Sequence, residues 1–412
     1  MVRAAIVVAG VMALGGNADA QKCATAKKGA VAPFPKDAAA AALLLKRGSD
    51  TILTQWTGRY LVAMGRFAPF DAVIYDACTR TWSSVPAWSG EAKLGHELHL
   101  SRLDGSRVVV TALGGAGVVV LDPATRAWSA PTPAQRIAPG FAWKATKGAP
   151  VARENGAEIE EADKFVVWGG NDSDVKGDGG IYDRAAKTWT PISNTGAPRA
   201  RSMMGAAWTK GRLAVWGGWS KSGNPSAPTF DCLSDGAIYD STKRTWTMIA
   251  AKGAPTARQN AITMVDGDRV YVFGGNDGCP QAGLGKELAD GAVLDTKIAT
   301  WTPFALPSAV VADQGYPKRA SAYVLPDHRV VVRGAEKMWI YDPAKSAFAA
   351  MPAATNGHWI ALGLAGDKLV GWGKVVVVNP GGGCDGPRPP NTGCDPMNAT
   401  MAYSDDGWLI QF

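Results

Sequence analysis

Three short motifs recur in the same order along this chain, and together they dictate how it can fold. The first is an apolar run ending in Gly: YLVAMG (60–65), VVVTALGG (108–115), FVVWGG (165–170), LAVWGG (213–218), VYVFGG (270–275), VVVRG (330–334) and KLVGWG (368–373). The second is a shorter apolar run ending in an acid or its amide: DAVIYD (71–76), GVVVLD (117–122), GGIYD (179–183), GAIYD (236–240), GAVLD (291–295), MWIYD (338–342) and VVVVN (375–379). The third is an aromatic residue six positions after the terminal acid, at Trp82, Trp128, Trp189, Trp246, Trp301 and Phe348. Polar stretches such as RAAKTW suit tight turns between antiparallel strands. Repetition at this length means stacked copies of one unit, each too small to bury its apolar faces alone.

Trp82 to Phe348 spans five intervals with a mean of about 53 residues, close to the ~50-residue period of kelch repeats. The Gly doublet, the Tyr-Asp pair and the Trp six residues later resemble the kelch family. The resemblance covers 51–379 clearly and implies an all-β, kelch-type β-propeller of about seven four-stranded blades, the alternative being six blades plus a cap. Most of the sixteen Trp residues are then core by default. The last unit is irregular: after Asn379 comes a Gly/Pro-rich stretch, and GWLIQF at the C-terminus is expected to complete a blade.

The N-terminus places Arg3 before an apolar run from Ala4 to Leu14 and ends in Ala18-Asp19-Ala20, the layout of a cleaved secretory leader over 1–20. Residues 21–50 read as an N-terminal extension with a short helix over Ala38–Lys46, and 51–412 as the propeller. A secreted, periplasmic or extracellular location follows, with no transmembrane anchor, because the apolar run is shorter than the ~20 residues a span needs. The six cysteines form no C-x-x-C pair, so disulfides are expected over zinc. Cys232 and Cys279 fall in loops of adjacent repeats, Cys384 and Cys394 in one loop, leaving Cys23 and Cys78. The net charge of +7 is scattered, which argues against a nucleic-acid partner. A monomer is expected.

Naming the strands of each blade a to d outward puts the b–c loops and the d–a connections at one end. The longest b–c loops follow Gly170, Gly218 and Gly275, and variable loops on a rigid frame are where binding resides. GAPVAR (148–153), GAPRAR (196–201), GAPTAR (253–258) and GYPKR (315–319) each precede a strand a. Their arginines, Arg153, Arg201, Arg258 and Arg319, should lie near the channel mouth, where they either contact a carboxylate or phosphate group or hydrogen-bond loop carbonyls. A protein, peptide or anionic glycan is the ligand class expected.

Catalytic signals are sparse. His96-Glu97-Leu98-His99 has i, i+3 spacing, not the i, i+4 spacing of a helical zinc motif. Some kelch-like propellers are copper sugar oxidases or sugar mutarotases. The first implies a Tyr–Cys crosslink and two His ligands, which no context here matches; the second would draw on Glu97, Glu154 and the arginines. No cofactor is expected, although Asp172, Asp174 and Asp178 cluster hard oxygens of the kind calcium takes. The leading expectation is a non-catalytic binding propeller.

Overall fold

A computed structural model describes residues 27–47, 52–67, 70–86, 88, 98–112, 118–130, 146–161, 163–224, 227–280, 285–286, 288–306, 322–333, 337–379, 392–394 and 400–412. The leader-like segment lies outside these. Apart from the helix Ala38–Arg47 and one short 3-10 turn, the described elements are strands. They form seven antiparallel sheets of four or five strands and one two-stranded ribbon. None of the described helices is long and apolar enough to cross a membrane. The chain divides into two compact units, one spanning Trp143–Ala350, the other Leu14–Ala142 and Met351–Phe412.

The first unit holds four sheets, the third to sixth in chain order. The third is Ala157–Glu160, Lys164–Trp168, Gly179–Asp183 and Thr188–Pro191; the fourth is Gly205–Thr209, Arg212–Trp216, Gly236–Asp240 and Thr245–Met248. The fifth is Ile262–Asp266, Arg269–Phe273, Asp290–Asp295 and Thr300–Ala305; the sixth is Ala322–Val324, Val330–Arg333, Met338–Asp342 and Ala347–Ala350. Each runs a, b, c, d in sequence order, and in the third, fourth and fifth sheets every residue of strand b after its first is buried, Val166, Val167 and Trp168 among them.

The six-residue spacing has a local cause. The terminal Asp accepts backbone N–H bonds from the turn it opens, as Asp183 does from Ala185 (2.9 Å) and Ala186 (2.8 Å). Four residues after the Asp the chain passes through the left-handed region, at φ 55° for Lys187 and 58° for Arg244. The aromatic then falls opposite the residue preceding the Asp, pairing Tyr182 with Trp189 and Tyr239 with Trp246. Those aromatics also fill the gaps between sheets: Trp246 sits 5.4 Å from Trp168, and Trp301 sits 4.8 Å from Trp216. Such ring pairs contribute beyond the area they bury.

The second unit contains the first sheet (Ile52–Trp56, Tyr60–Gly65, Ala72–Asp76, Thr81–Val85) and the second (Leu98–Asp104, Arg107–Ala112, Val118–Asp122, Ala127–Ser129). Its remaining sheet departs from the sequence expectation. KLVGWG and VVVVN are one strand, Lys368–Asn379, with a register shift between Trp372 and Lys374. The third strand is instead Thr400–Gln411, and the outer strand is Val31–Pro33 from the segment read as an extension. Trp408, Leu409 and Ile410 are buried there. Without an Asp-turn-Trp unit after Asn379, this sheet draws its last two strands from opposite ends of the chain. The expected helix packs here too, burying Ala40 and Leu43.

Candidate binding site

The loop end of the third, fourth and fifth sheets is built around three equivalent arginines. Each Nε donates to the carbonyl two residues back: Arg153 to Val151 (2.7 Å), Arg201 to Arg199 (2.9 Å) and Arg258 to Thr256 (2.8 Å). Each Nη1 donates to the carbonyl of the first Gly in the doublet, Gly169, Gly217 or Gly274. It also reaches the carbonyl of the residue that closes the b–c loop, Asp178, Asp235 or Asp290. The side chain of that Asp completes an ion pair, at 2.7 Å for Arg153–Asp178 and 3.0 Å for Arg201–Asp235.

The three guanidinium side chains are 0% exposed, while the carboxylates of Asp178, Asp235 and Asp290 keep 43%, 48% and 36% of their surface. Of the two roles left open by the sequence, this geometry is that of the carbonyl clamp, with the anion slot of each arginine filled by its own aspartate. Arg319 lies outside the described residues. Burial pushes the Arg201 guanidinium down from its ordinary pKa, with Asp235 opposing the shift. The Arg153 hydrogen bond holds the Asp178 carboxyl below its usual range.

The doublets make the clamp sterically feasible. Gly170 has φ 93°, and a Cβ there would stand 2.6 Å from the Glu154 carbonyl, a conformation and approach open only to Gly. Adjacent sheets are stitched through the same loops: Gly170 N donates to Arg201 O (2.8 Å) and Gly218 N to Arg258 O (2.7 Å).

On this frame the long b–c loop after Gly218 folds as a hairpin, Trp219–Asn224 paired with Ala227–Cys232. Three ties hold it. Lys221 Nζ reaches Asp174 Oδ1 (3.2 Å) and donates to Ser173 O (3.1 Å) in the loop of the third sheet. Arg199 donates to Lys221 O (2.6 Å) and Asp231 Oδ2 (3.0 Å). Cys232 is disulfide-bonded to Cys279 in the loop of the fifth sheet, the pairing expected from the repeat positions. Cys78 is disulfide-bonded as well; Cys23, Cys384 and the side chain of Cys394 lie outside the described residues. Phe230 is 42% exposed on this hairpin, its ring 5.7 Å from that of Trp219. Neither WSKSGN nor APTFDC alternates apolar and polar residues, so the sequence carries no strand signal here.

Among the described residues, the other candidates do not assemble into a catalytic group. Asp172 is paired with Lys176 (2.9 Å), Asp174 with Lys221 and Asp178 with Arg153, so each carboxylate considered for calcium has a cation of its own. Among the described residues no group of three or more His, Cys, Asp or Glu is placed to hold a metal. His328 faces Asp266 (2.8 Å) at the turn end of the fifth and sixth sheets, and Glu154 is exposed at the loop end. His96, Glu97 and the side chains of His99 and His358 lie outside the described residues.

A model of the KLHDC2/KLHL20/DRC7 Kelch-repeats domain matches residues 114–334. The chain belongs to the Kelch-repeat family, and its all-β architecture of repeated four-stranded sheets is that of a kelch β-propeller. No curated protein matches it.

Proposed function

We propose that this chain is a non-catalytic binding propeller acting outside the cytoplasm, with a protein or peptide ligand held at the loop end of the third to fifth sheets. Kelch repeats generally mediate protein interaction. The observation that carries the choice of face is the cross-tying of three loops through Lys221, Arg199 and the Cys232–Cys279 bond. A platform ordered before binding loses less entropy on association, and an aromatic on a rigid support is the usual anchor of a protein interface. The buried arginines then shape the platform from beneath. The disulfide supports an oxidising compartment.

Peptides selected from a random displayed library on the purified protein test this reading. Replacing the hairpin 219–232 by a short Gly-Ser turn should abolish their binding while the melting of the remaining sheets persists, and a sugar-turnover screen should stay silent. Unchanged peptide affinity, or turnover of a sugar, would overturn the proposal.

A further inference from the structure

The opposite end of the fourth and fifth sheets carries a charge arrangement that the binding platform does not use. Asp268, in the a–b turn of the fifth sheet, faces three cations: Lys210 Nζ at 2.6 Å, Lys297 Nζ at 3.0 Å and Arg212 Nη1 at 3.5 Å. Asp268 neutralises one of them and Asp240, the register partner of Arg212, offsets a second, leaving a local surplus of about one positive charge carried on the two exposed lysines. The Lys210 and Lys297 side chains are 59% and 61% exposed, whereas that of Asp268 is 15% exposed. The cations therefore stand outside the carboxylate, with donors still directed at solvent.

The turns that hold them are fixed independently of those charges. Thr296 donates to Asp268 O through its backbone N–H (2.9 Å) and its hydroxyl (2.8 Å). Thr209 Oγ1 bonds Gly267 O, and Ser241 donates to Gly211 O through its hydroxyl at 2.7 Å. Like charges pinned this closely repel one another, and a tetrahedral anion with several acceptor oxygens relieves that repulsion while using both ammonium groups and the guanidinium fork. The hydrogen bond from Lys210, then that from Lys297, holds the Asp268 carboxyl below its ordinary pKa, so it stays ionised and competes with an incoming anion.

We propose that Lys210, Arg212 and Lys297 form a binding site for a sulfate- or phosphate-type oxyanion at this turn end. The group is either a free ion or one displayed on an anionic polymer. This site is independent of the proposed platform, so loss of either leaves the other standing.

Calorimetric titration with inorganic phosphate and sulfate, and a parallel assay on immobilised dextran sulfate, separate the two sources. Binding of either kind should weaken about tenfold for each cation removed in Lys210→Ala and Lys297→Ala, as expected for a charged hydrogen bond. Asp268→Asn keeps the backbone carbonyl that Thr296 uses and deletes the internal competitor, so it should tighten binding about tenfold. The Lys187→Ala/Lys345→Ala double variant removes as much charge from other turns as the two site substitutions combined and should leave binding unchanged, with melting curves confirming that each variant is folded. The proposal is overturned if no probe binds the wild type, if Asp268→Asn weakens binding, or if the control variant loses as much as the site variants.

Discussion

Replacing Arg201 with Ala separates a structural clamp from a ligand contact. The side chain donates to three backbone carbonyls, those of Arg199 (2.9 Å), Gly217 (3.1 Å) and Asp235 (2.8 Å). Each bond contributes about 1 kcal/mol net, and more where the abandoned carbonyl stays shielded from water. The ion pair to Asp235 adds less than about 1 kcal/mol, because that carboxylate is 48% exposed. The expected loss is about 3–4 kcal/mol, or about 10 °C in the melting of the unit Trp143–Ala350. Arg244→Ala serves as the reference: its guanidinium makes one long contact, to Pro191 O at 3.5 Å, and its loss should cost less than about 0.5 kcal/mol. Urea unfolding and peptide affinity are measured on both variants. A cost below about 1 kcal/mol for Arg201→Ala, or lost affinity at unchanged stability, would refute the clamp and restore the arginine as a ligand contact.

Three further outcomes are expected. The Cys232→Ser/Cys279→Ser pair opens a crosslink with a sequence separation of 47 and should lower the melting temperature, with loop entropy setting a ceiling of about 4 kcal/mol on the loss; a melting curve unchanged from wild type would contradict this. Gly236→Ala would set a Cβ 2.1 Å from the Val215 carbonyl, and since that contact is backbone the cost should exceed about 1 kcal/mol in urea unfolding. The Asp178 carboxyl lies below its ordinary value of 3.8 because of Arg153. Its contribution is therefore complete above 3.8 and disappears as pH falls through the lower folded value. Asp178→Asn should accordingly lose stability at neutral pH but flatten the acid limb of the melting profile; an unaltered limb would count against the pairing.

The repeat was legible because its signals are local. Asp183 captures the amides of its own turn, and Trp189 must follow at a fixed distance to face Tyr182, so sequence spacing alone reveals the unit. The terminal sheet was less legible because Val31–Pro33 pairs with residues near 410, a contact that carries no local signature. The arginine repeat is visible in sequence but its role is not: which way a guanidinium points depends on the Gly169, Gly217 and Gly274 carbonyls, sixteen residues downstream in each copy. The hairpin is hidden in sequence for a different reason. WSKSGN and APTFDC have weak strand preference, and ties to Asp174, Arg199 and Cys279 compensate from neighbouring loops. Phe230 and the lysines at positions 210 and 297 acquire interest only once the fold brings distant turns together.

Hydrogen exchange on the protein with and without a selected peptide tests the proposed binding face most directly. The expected result is slower exchange at 169–178, 217–235 and 274–289, with the turns around Lys187, Lys210 and Arg244 unchanged. Protection confined to those turns, or spread evenly over the sheets, would contradict the assignment of the ligand to the loop end.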